Sequence, residues 1–277
     1  MSTTVAELLQ RGRAFGLAAR DVRAALSHCL RKGPTWLLAH GDAPLEPEAF
    51  AACADALERL AAGEPLPYLI GEGDFAGLAL ALSPATLIPR HDTEVLLDGA
   101  LARLPAKPCR VLELGTGSGA LALALKARRP ELAVLASDIS IEALAIARAN
   151  AARHDLLVEF WESDWYRDLP AECFPVDAIL SNPPYIARED PDLAPSVARY
   201  EPALALFAED NGLGALQAIL TGARTRLKPG GLLGLEHGYR QGPALAARLR
   251  AAGYDAVETL KDTAGRPRAT FARQPHG

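Results

Sequence analysis

The chain has 277 residues, with 29 Lys and Arg against 34 Asp and Glu, for a net charge of −5. This acidic chain of ordinary globular make-up, 49% hydrophobic and 23% charged, falls outside the disordered class and does not bind polyanions through bulk charge. Its length suggests about two domains, and no apolar run reaches the ~18 residues of a membrane span.

Residues 1 to 62 read as helices. Thr4 and Glu7 have capping-box spacing ahead of Leu8, Leu9 and Phe15. Three arginines in the first 20 residues raise the idea of a transit peptide, but Glu7 and the helical pattern that continues favour a first structural helix. A second helix starts near Asp21, and Gly33-Pro34 breaks it. Trp36-Leu37-Leu38 opens a short third, and Phe50 to Leu60 carries apolar residues at helical intervals. Gly63 to Pro67 then punctuates the chain. Phe75 to Leu82 reads as a β-hairpin turning near Gly77.

From Arg110 onward, strands and helices alternate. Strands are predicted at 111–114, 133–137, 157–161, 176–180 and 232–236. Helices are predicted at 120–129, 141–153, 213–227 and 243–252. Strands at 254–260 and 269–272 close the chain as an antiparallel edge hairpin. This alternation implies a doubly wound α/β fold with a mostly parallel sheet.

Cys29, Cys53, Cys109 and Cys173 form no C-x-x-C pair, and the histidines show no ligand spacing, so no metal site is expected. Unpaired cysteines fit a reducing compartment, and the expected location is cytoplasmic.

The sharpest motif is Glu113-Leu114-Gly115-Thr116-Gly117-Ser118-Gly119, between a predicted strand and a predicted helix. Its glycines allow a sharp turn and close approach of a ligand to the main chain. Asp138 ends the next strand, where a carboxylate can accept both hydroxyls of a ribose. The spacing is G-x-G-x-G rather than G-x-G-x-x-G, and an acidic residue, Glu113, precedes it. That suits a ligand carrying a positive amino or sulfonium group and favours S-adenosyl-L-methionine over NAD.

Ser181-Asn182-Pro183-Pro184-Tyr185 follows the 176–180 strand, which doubly wound order sets beside the first strand. Pro183 and Pro184 lack N–H donors, so this loop offers acceptors, with Asn182 adding a carboxamide and Tyr185 a flat face. Such an array suits a planar –NH2 group presented to a methyl donor, and Trp165 is a further stacking candidate. Glu236 and His237 end a strand near the cleft and read as supports for the substrate loop rather than as a general base.

At these residues the chain resembles a class I S-adenosylmethionine-dependent methyltransferase, and more narrowly the release factor glutamine methyltransferase family (PrmC/HemK type). Further ordered matches are Glu64 to Gly71, Leu87 to Arg90 with Thr93-Glu94, Ser137 to Ser140, Ala149-Asn150-Ala151, Asp164-Trp165, Tyr200-Glu201-Pro202, Pro229-Gly230-Gly231 and Glu236-His237-Gly238 with Gln241. His91 departs from the proline frequent in that family.

The resemblance implies a seven-stranded sheet in a methyltransferase domain at 73–277, with a hairpin linker at 73–85. It implies a helical substrate-recognition domain at 1–72. Glu113, Gly115, Thr116, Gly117, Ser118, Gly119, Asp138, Trp165 and Asn182 would bind S-adenosyl-L-methionine, leaving S-adenosyl-L-homocysteine as product. Asn182, Pro183, Pro184 and Tyr185 would form the amide pocket, with Asn182, Pro183 and Tyr185 catalytic. The substrate would be the Gly-Gly-Gln glutamine of class I peptide chain release factors, methylated in support of translation termination. The enzyme would act as a monomer, without direct nucleic-acid or membrane partners. Three rivals remain open at this point. They are adenine-amine methylation in DNA on the same Asn-Pro-Pro-Tyr logic, methylation of a ribosomal-protein glutamine, and a non-catalytic adaptor on this scaffold.

Overall fold

Thr4 starts the first helix as its capping spacing predicts: its Oγ1 accepts from the Glu7 N–H at 3.3 Å. In the computed structural model, which describes residues 3–276, helices α1 (Val5–Ala14), α2 (Ala19–Leu30), α3 (Pro34–Ala39), α4 (Pro47–Ala61) and α5 (Leu66–Ile70) follow one another. The chain divides into two units, Met1–Glu72 and Gly73–Gly277. The first unit packs Leu8, Val22, Leu26, Leu37, Cys53 and Leu57 into its own core. The punctuation at Gly63 to Pro67 does end α4, but a new helix begins at once. Pro67 sits in the first turn of α5, where a missing N–H costs nothing.

The hairpin pairs β1 (Glu72–Phe75) with β2 (Leu78–Ala81). Next come a 3-10 turn at His91–Thr93, α6 (Glu94–Arg103), β3 (Arg110–Leu114), α7 (Ala120–Arg128), β4 (Ala133–Asp138), α8 (Ile141–Arg153), β5 (Glu159–Glu162) and β6 (Val176–Ser181). The rest is α9 (Pro195–Tyr200), α10 (Ala203–Leu206), α11 (Gly214–Ala223), β7 (Leu227–Glu236), α12 (Gly242–Ala251), β8 (Asp255–Lys261) and β9 (Pro267–Arg273). The seven-stranded sheet has the order β5-β4-β3-β6-β7-β9-β8. The first five strands run parallel, and β9 pairs antiparallel with both β7 and β8, so β9 runs opposite to the other six. Leu112, Leu114, Ile179, Leu233 and Leu235 from the central strands are buried in the main core with Leu216 and Leu220 of α11. No helix among the described residues is long and apolar enough to cross a membrane.

Several sequence expectations shift, most of all between α11 and β7. The helix expected over 213–227 stops at Ala223, and the strand begins at Leu227, running through Pro229-Gly230-Gly231. The β6–β7 register slips between Val176 and Ala178 in that stretch, so a proline without an N–H is tolerated there. Helix α6, like α9 and α10, was not anticipated. It buries Leu96, Leu97 and Ala100, and a Cβ on Gly99 would lie 2.5 Å from the Phe271 ring.

Candidate active site

Three strand ends meet in one row: Leu114 of β3 pairs with Ser137 of β4 on one side and with Ser181 of β6 on the other. The loops that follow therefore open at the same edge of the sheet, where ligands bind in doubly wound folds. The Ser137 carbonyl accepts from the N–H groups of Gly115 and Thr116 at 2.8 and 2.9 Å. Ser181 Oγ donates to the Leu114 carbonyl at 2.7 Å.

The glycine loop is held by two carboxylates. Asp138 accepts from the Gly117 N–H at 2.8 Å through one oxygen and from the Ser140 N–H at 3.0 Å through the other. Gly117 is left-handed at φ 56, and no atom beyond its immediate chain neighbours lies within 4 Å of where a Cβ would be, so the main chain there is open to the cleft. Glu113 accepts from the Thr116 hydroxyl at 2.6 Å and from the Ala122 N–H at 3.0 Å. The second bond satisfies one of the unpaired donors in the first turn of α7. Burial pushes the Glu113 carboxyl up to about 8, against the pull of those two hydrogen bonds. Burial also raises Asp138, opposed by the backbone N–H groups of Ser140 and Gly117. Fully buried Asn150 ties the hairpin to this loop. Its Nδ2 donates to the carbonyls of Ser118 (2.9 Å) and Ala81 (3.1 Å), and its Oδ1 accepts from the Ala81 N–H (2.7 Å).

These raised carboxyls imply a definite pH dependence of stability. The folded protein keeps protons on Glu113 and Glu236, whose pKa values rise to about 8 and about 7, while the unfolded chain releases them near 4.5. The folded state thus binds more protons across that interval, and stability falls as pH rises through it. Thermal melts of the free protein are expected to show a declining midpoint from about pH 5 to about pH 8, with a shallower decline in Glu113→Gln. Equal slopes in the two proteins would contradict the assignment to Glu113.

Glu113, Gly115, Thr116, Gly117, Ser118, Asp138, Trp165, Asn182 and Pro184 line one cleft of about 650 Å³, a volume ordinary for a small-molecule site. Gly119 caps the N-terminus of α7 and is not part of that lining. Trp165 takes a left-handed φ of 51, rare for a bulky residue and typical of functional sites. The Ser163 hydroxyl donates to its carbonyl at 3.0 Å.

The Asn182–Tyr185 loop is braced from behind. Asn182 Nδ2 donates to Thr93 Oγ1 at 3.1 Å. Pro183 is buried and does not line the cleft. Tyr185 does not line it either: the ring packs on the main core, and the hydroxyl donates to Glu236 at 3.3 Å. The flat face expected in the cleft is therefore turned into the protein, where a buried phenol needs a hydrogen-bond partner and finds that carboxylate. The Tyr185 carbonyl accepts from Gln241 Nε2 at 2.9 Å. A Cβ on left-handed Gly212 would sit 2.1 Å from the same carbonyl, so only glycine fits there.

Sequence reasoning gave no role to Glu201, although it lies in a quoted match. Its carboxylate is buried, accepts from the Ile88 N–H at 3.2 Å and pairs with the Arg90 guanidinium. It thereby joins the chain ahead of α6 to the chain ahead of α10, and both border the cleft at Leu87, Pro89, Pro202 and Leu204.

Comparison with known proteins accords with this arrangement. The PrmC N-terminal domain family matches residues 3–71, and the Methyltransferase small domain family matches residues 92–198. The Release factor glutamine methyltransferase of Salmonella typhimurium is 46% identical, over 92% of this chain and 91% of that protein. The protein of the same name from Escherichia coli K12 is 42% identical over the same shares. Among solved structures, the hMettl16 catalytic domain aligns with 80% of this chain and 82% of its own at TM-score 0.59 and 18% identity. A methyltransferase from Pyrococcus furiosus aligns with 72% of this chain and 90% of its own at TM-score 0.55 and 20% identity. At those identities the solved structures speak to the fold.

Proposed function

The chain belongs to the release factor glutamine methyltransferase family and is a methyltransferase acting on a release-factor glutamine; on that premise we propose how its cleft performs the reaction. The methyl donor is S-adenosyl-L-methionine, and the acceptor is the side-chain amide nitrogen (N5) of the glutamine in the Gly-Gly-Gln motif of class I peptide chain release factors. The reading is carried by one observation: the Asn182 carboxamide and the Asp138 carboxylate border the same cleft from the ends of β6 and β4, the two parallel strands that flank β3.

The residues present fit the donor. Asp138, at a strand end, is placed to accept ribose hydroxyls, and the open backbone at Gly117 allows close approach. Trp165 offers an aromatic face, and buried Glu113 keeps the loop and the first turn of α7 in register. When bound, the donor supplies an electrophilic methyl on a sulfonium sulfur.

An amide nitrogen is a weak nucleophile because its lone pair is delocalised into the carbonyl. Orientation is then the main contribution of the protein, and near-attack alignment supplies up to roughly 7–11 kcal/mol. Asn182 Nδ2 is engaged with Thr93, which turns the other end of that carboxamide, an acceptor, away from Thr93. Asn182 Oδ1 and main-chain carbonyls of the Asn182–Tyr185 loop take the two amide hydrogens of the substrate. As the nitrogen gains positive character, the same oxygen dipoles stabilise it. The departing proton passes to water, and no strong base is required. Tyr185 braces the loop through Glu236 rather than touching substrate. The helical unit at 1–72 helps hold the release factor.

The test is methyl transfer from isotopically labelled S-adenosyl-L-methionine to a purified release factor, with mass analysis of the modified peptide. Label on the Gly-Gly-Gln glutamine is the expected result. Label on adenine in DNA or on a ribosomal protein instead, or no detectable donor binding, would overturn the proposal.

A further inference from the structure

Behind the Asn182–Tyr185 loop lies a buried polar cluster that the transfer step itself does not use. Glu236 is fully buried at the end of β7. One of its oxygens accepts from the Tyr185 hydroxyl at 3.3 Å, and the other, also buried, lacks a partner of ordinary hydrogen-bond geometry. The Thr93 hydroxyl stands beside this carboxylate and helps stabilise its charge, as does Arg268, while Asp92 opposes it. Arg268 is itself paired with Asp92 at 2.9 Å and with Asp262 at 3.3 Å. Neighbouring His237 spends its ring nitrogens on the Gly238 carbonyl and the Thr270 hydroxyl, at 2.9 and 2.8 Å. Glu236 therefore backs Tyr185 directly and stands beside Thr93, which holds Asn182.

The direction of these bonds matters. A carboxamide has two chemically opposite ends, and in a cleft either end can face the ligand. Asn182 donates to Thr93 Oγ1, so the Thr93 hydrogen is left for another acceptor, and the carboxylate beside it is one. An ionised carboxylate can only accept. A Thr93 O–H turned toward that carboxylate would keep a Thr93 lone pair toward Asn182 Nδ2. A neutral group at 236 able to donate to Thr93 removes that constraint and permits the opposite orientation of Asn182, with its –NH2 end toward the substrate amide.

We propose that Glu236 is a positioning residue that sets the polarity of the chain Asn182 Nδ2–H to Thr93 O–H to Glu236, so that the Asn182 carbonyl faces the amide to be methylated. The proposal rests on the reading of Asn182 as the acceptor for the substrate amide. Two supporting facts concern ionisation. Burial pushes the Glu236 carboxyl up to about 7, so its charge state changes within the working range. The groups that face it, Tyr185, Arg268 and Asp92, act in opposite directions on it and none of them leaves it fully paired.

The test uses the full-length protein with a release factor as substrate. Wild type should show kcat rising with pH along an acid limb near 7. Glu236→Gln, nearly isosteric, should lose about tenfold in kcat and lose that limb, with KM for the release factor and Kd for S-adenosyl-L-methionine within about twofold of wild type. Thr93→Val should reproduce the loss, Thr93→Ser should restore most of it, and the Thr93→Val/Glu236→Gln double variant should be no worse than either single one. A wild-type kcat and an unchanged acid limb in Glu236→Gln, or additive losses in the double variant, would overturn the relay. If Glu236→Gln does not fold, the Thr93→Val and Thr93→Ser pair decides, with equal activity in the two overturning the proposal. Full activity in Asn182→Ala would instead remove the reading on which it rests, so the two failures are told apart.

Discussion

Asn182→Ala is expected to reduce methyl transfer by at least roughly 10²–10³-fold, or about 3–4 kcal/mol, the usual cost of losing one preorganised polar contact in a reacting site. Its affinity for S-adenosyl-L-methionine should change by less than about tenfold, since Asp138 and the glycine loop hang from different strands. The fold should persist, because Asn182 is only partly buried and loses a single side-chain hydrogen bond, to Thr93. The separation between turnover and donor binding is the informative part. A residue that merely shapes the loop would lose substrate affinity first, whereas one that orients the nucleophile loses kcat. Single-turnover rates with saturating donor and release factor check this, and a rate within about threefold of wild type would contradict the role given to Asn182.

Asp138→Ala should show the opposite split. The side chain holds two loop N–H groups, those of Gly117 and Ser140, and still borders the cleft. Its removal leaves those donors without their partner and withdraws the acceptor proposed for a ribose. Each lost charge-assisted hydrogen bond is worth about 1.5–3 kcal/mol. The affinity for S-adenosyl-L-methionine should therefore fall by about 10²-fold or more, with the rate at saturating donor falling much less. Asp138→Asn, which keeps an acceptor but can also donate, should lie between. Isothermal titration of the donor measures the effect, and an Asp138→Ala dissociation constant within about threefold of wild type would contradict it.

Much of the cleft's lining was readable because its parts are local. Glu113 to Gly119 occupy one strand–loop–helix stretch, and Asn182 to Tyr185 follow directly on a strand, so each motif carries its own structural context. Their convergence followed from the doubly wound order, which set β6 beside β3, as observed. What escaped was made by contacts between distant segments. Glu201 reaches Ile88 across 113 positions, and Asn150 reaches Ala81 across 69. A single buried Glu or Asn carries no periodicity that announces such a partner. The orientation of Tyr185 was missed for a related reason. Its aromatic face suggested stacking in the cleft, but the buried acceptor that claims its hydroxyl, Glu236, lies 51 positions later. Helix α6 was hidden by Gly99, which lowers helix propensity and yet is required where Phe271 packs against it. The boundary near Leu227 was misplaced because Pro229 and Gly230 read as breakers, whereas a register slip lets the strand run through them.

The central claim is that a glutamine carboxamide is held by oxygen acceptors of the Asn182–Tyr185 loop, with its nitrogen turned toward the donor sulfur. The most direct measurement is a crystal structure of the protein with S-adenosyl-L-homocysteine and a Gly-Gly-Gln release-factor fragment. The account predicts Asn182 Oδ1 within hydrogen-bond distance of the glutamine nitrogen, with that nitrogen facing the sulfur. A glutamine amide bound elsewhere in the cleft, or Asn182 presenting its –NH2 end to it, would contradict the account.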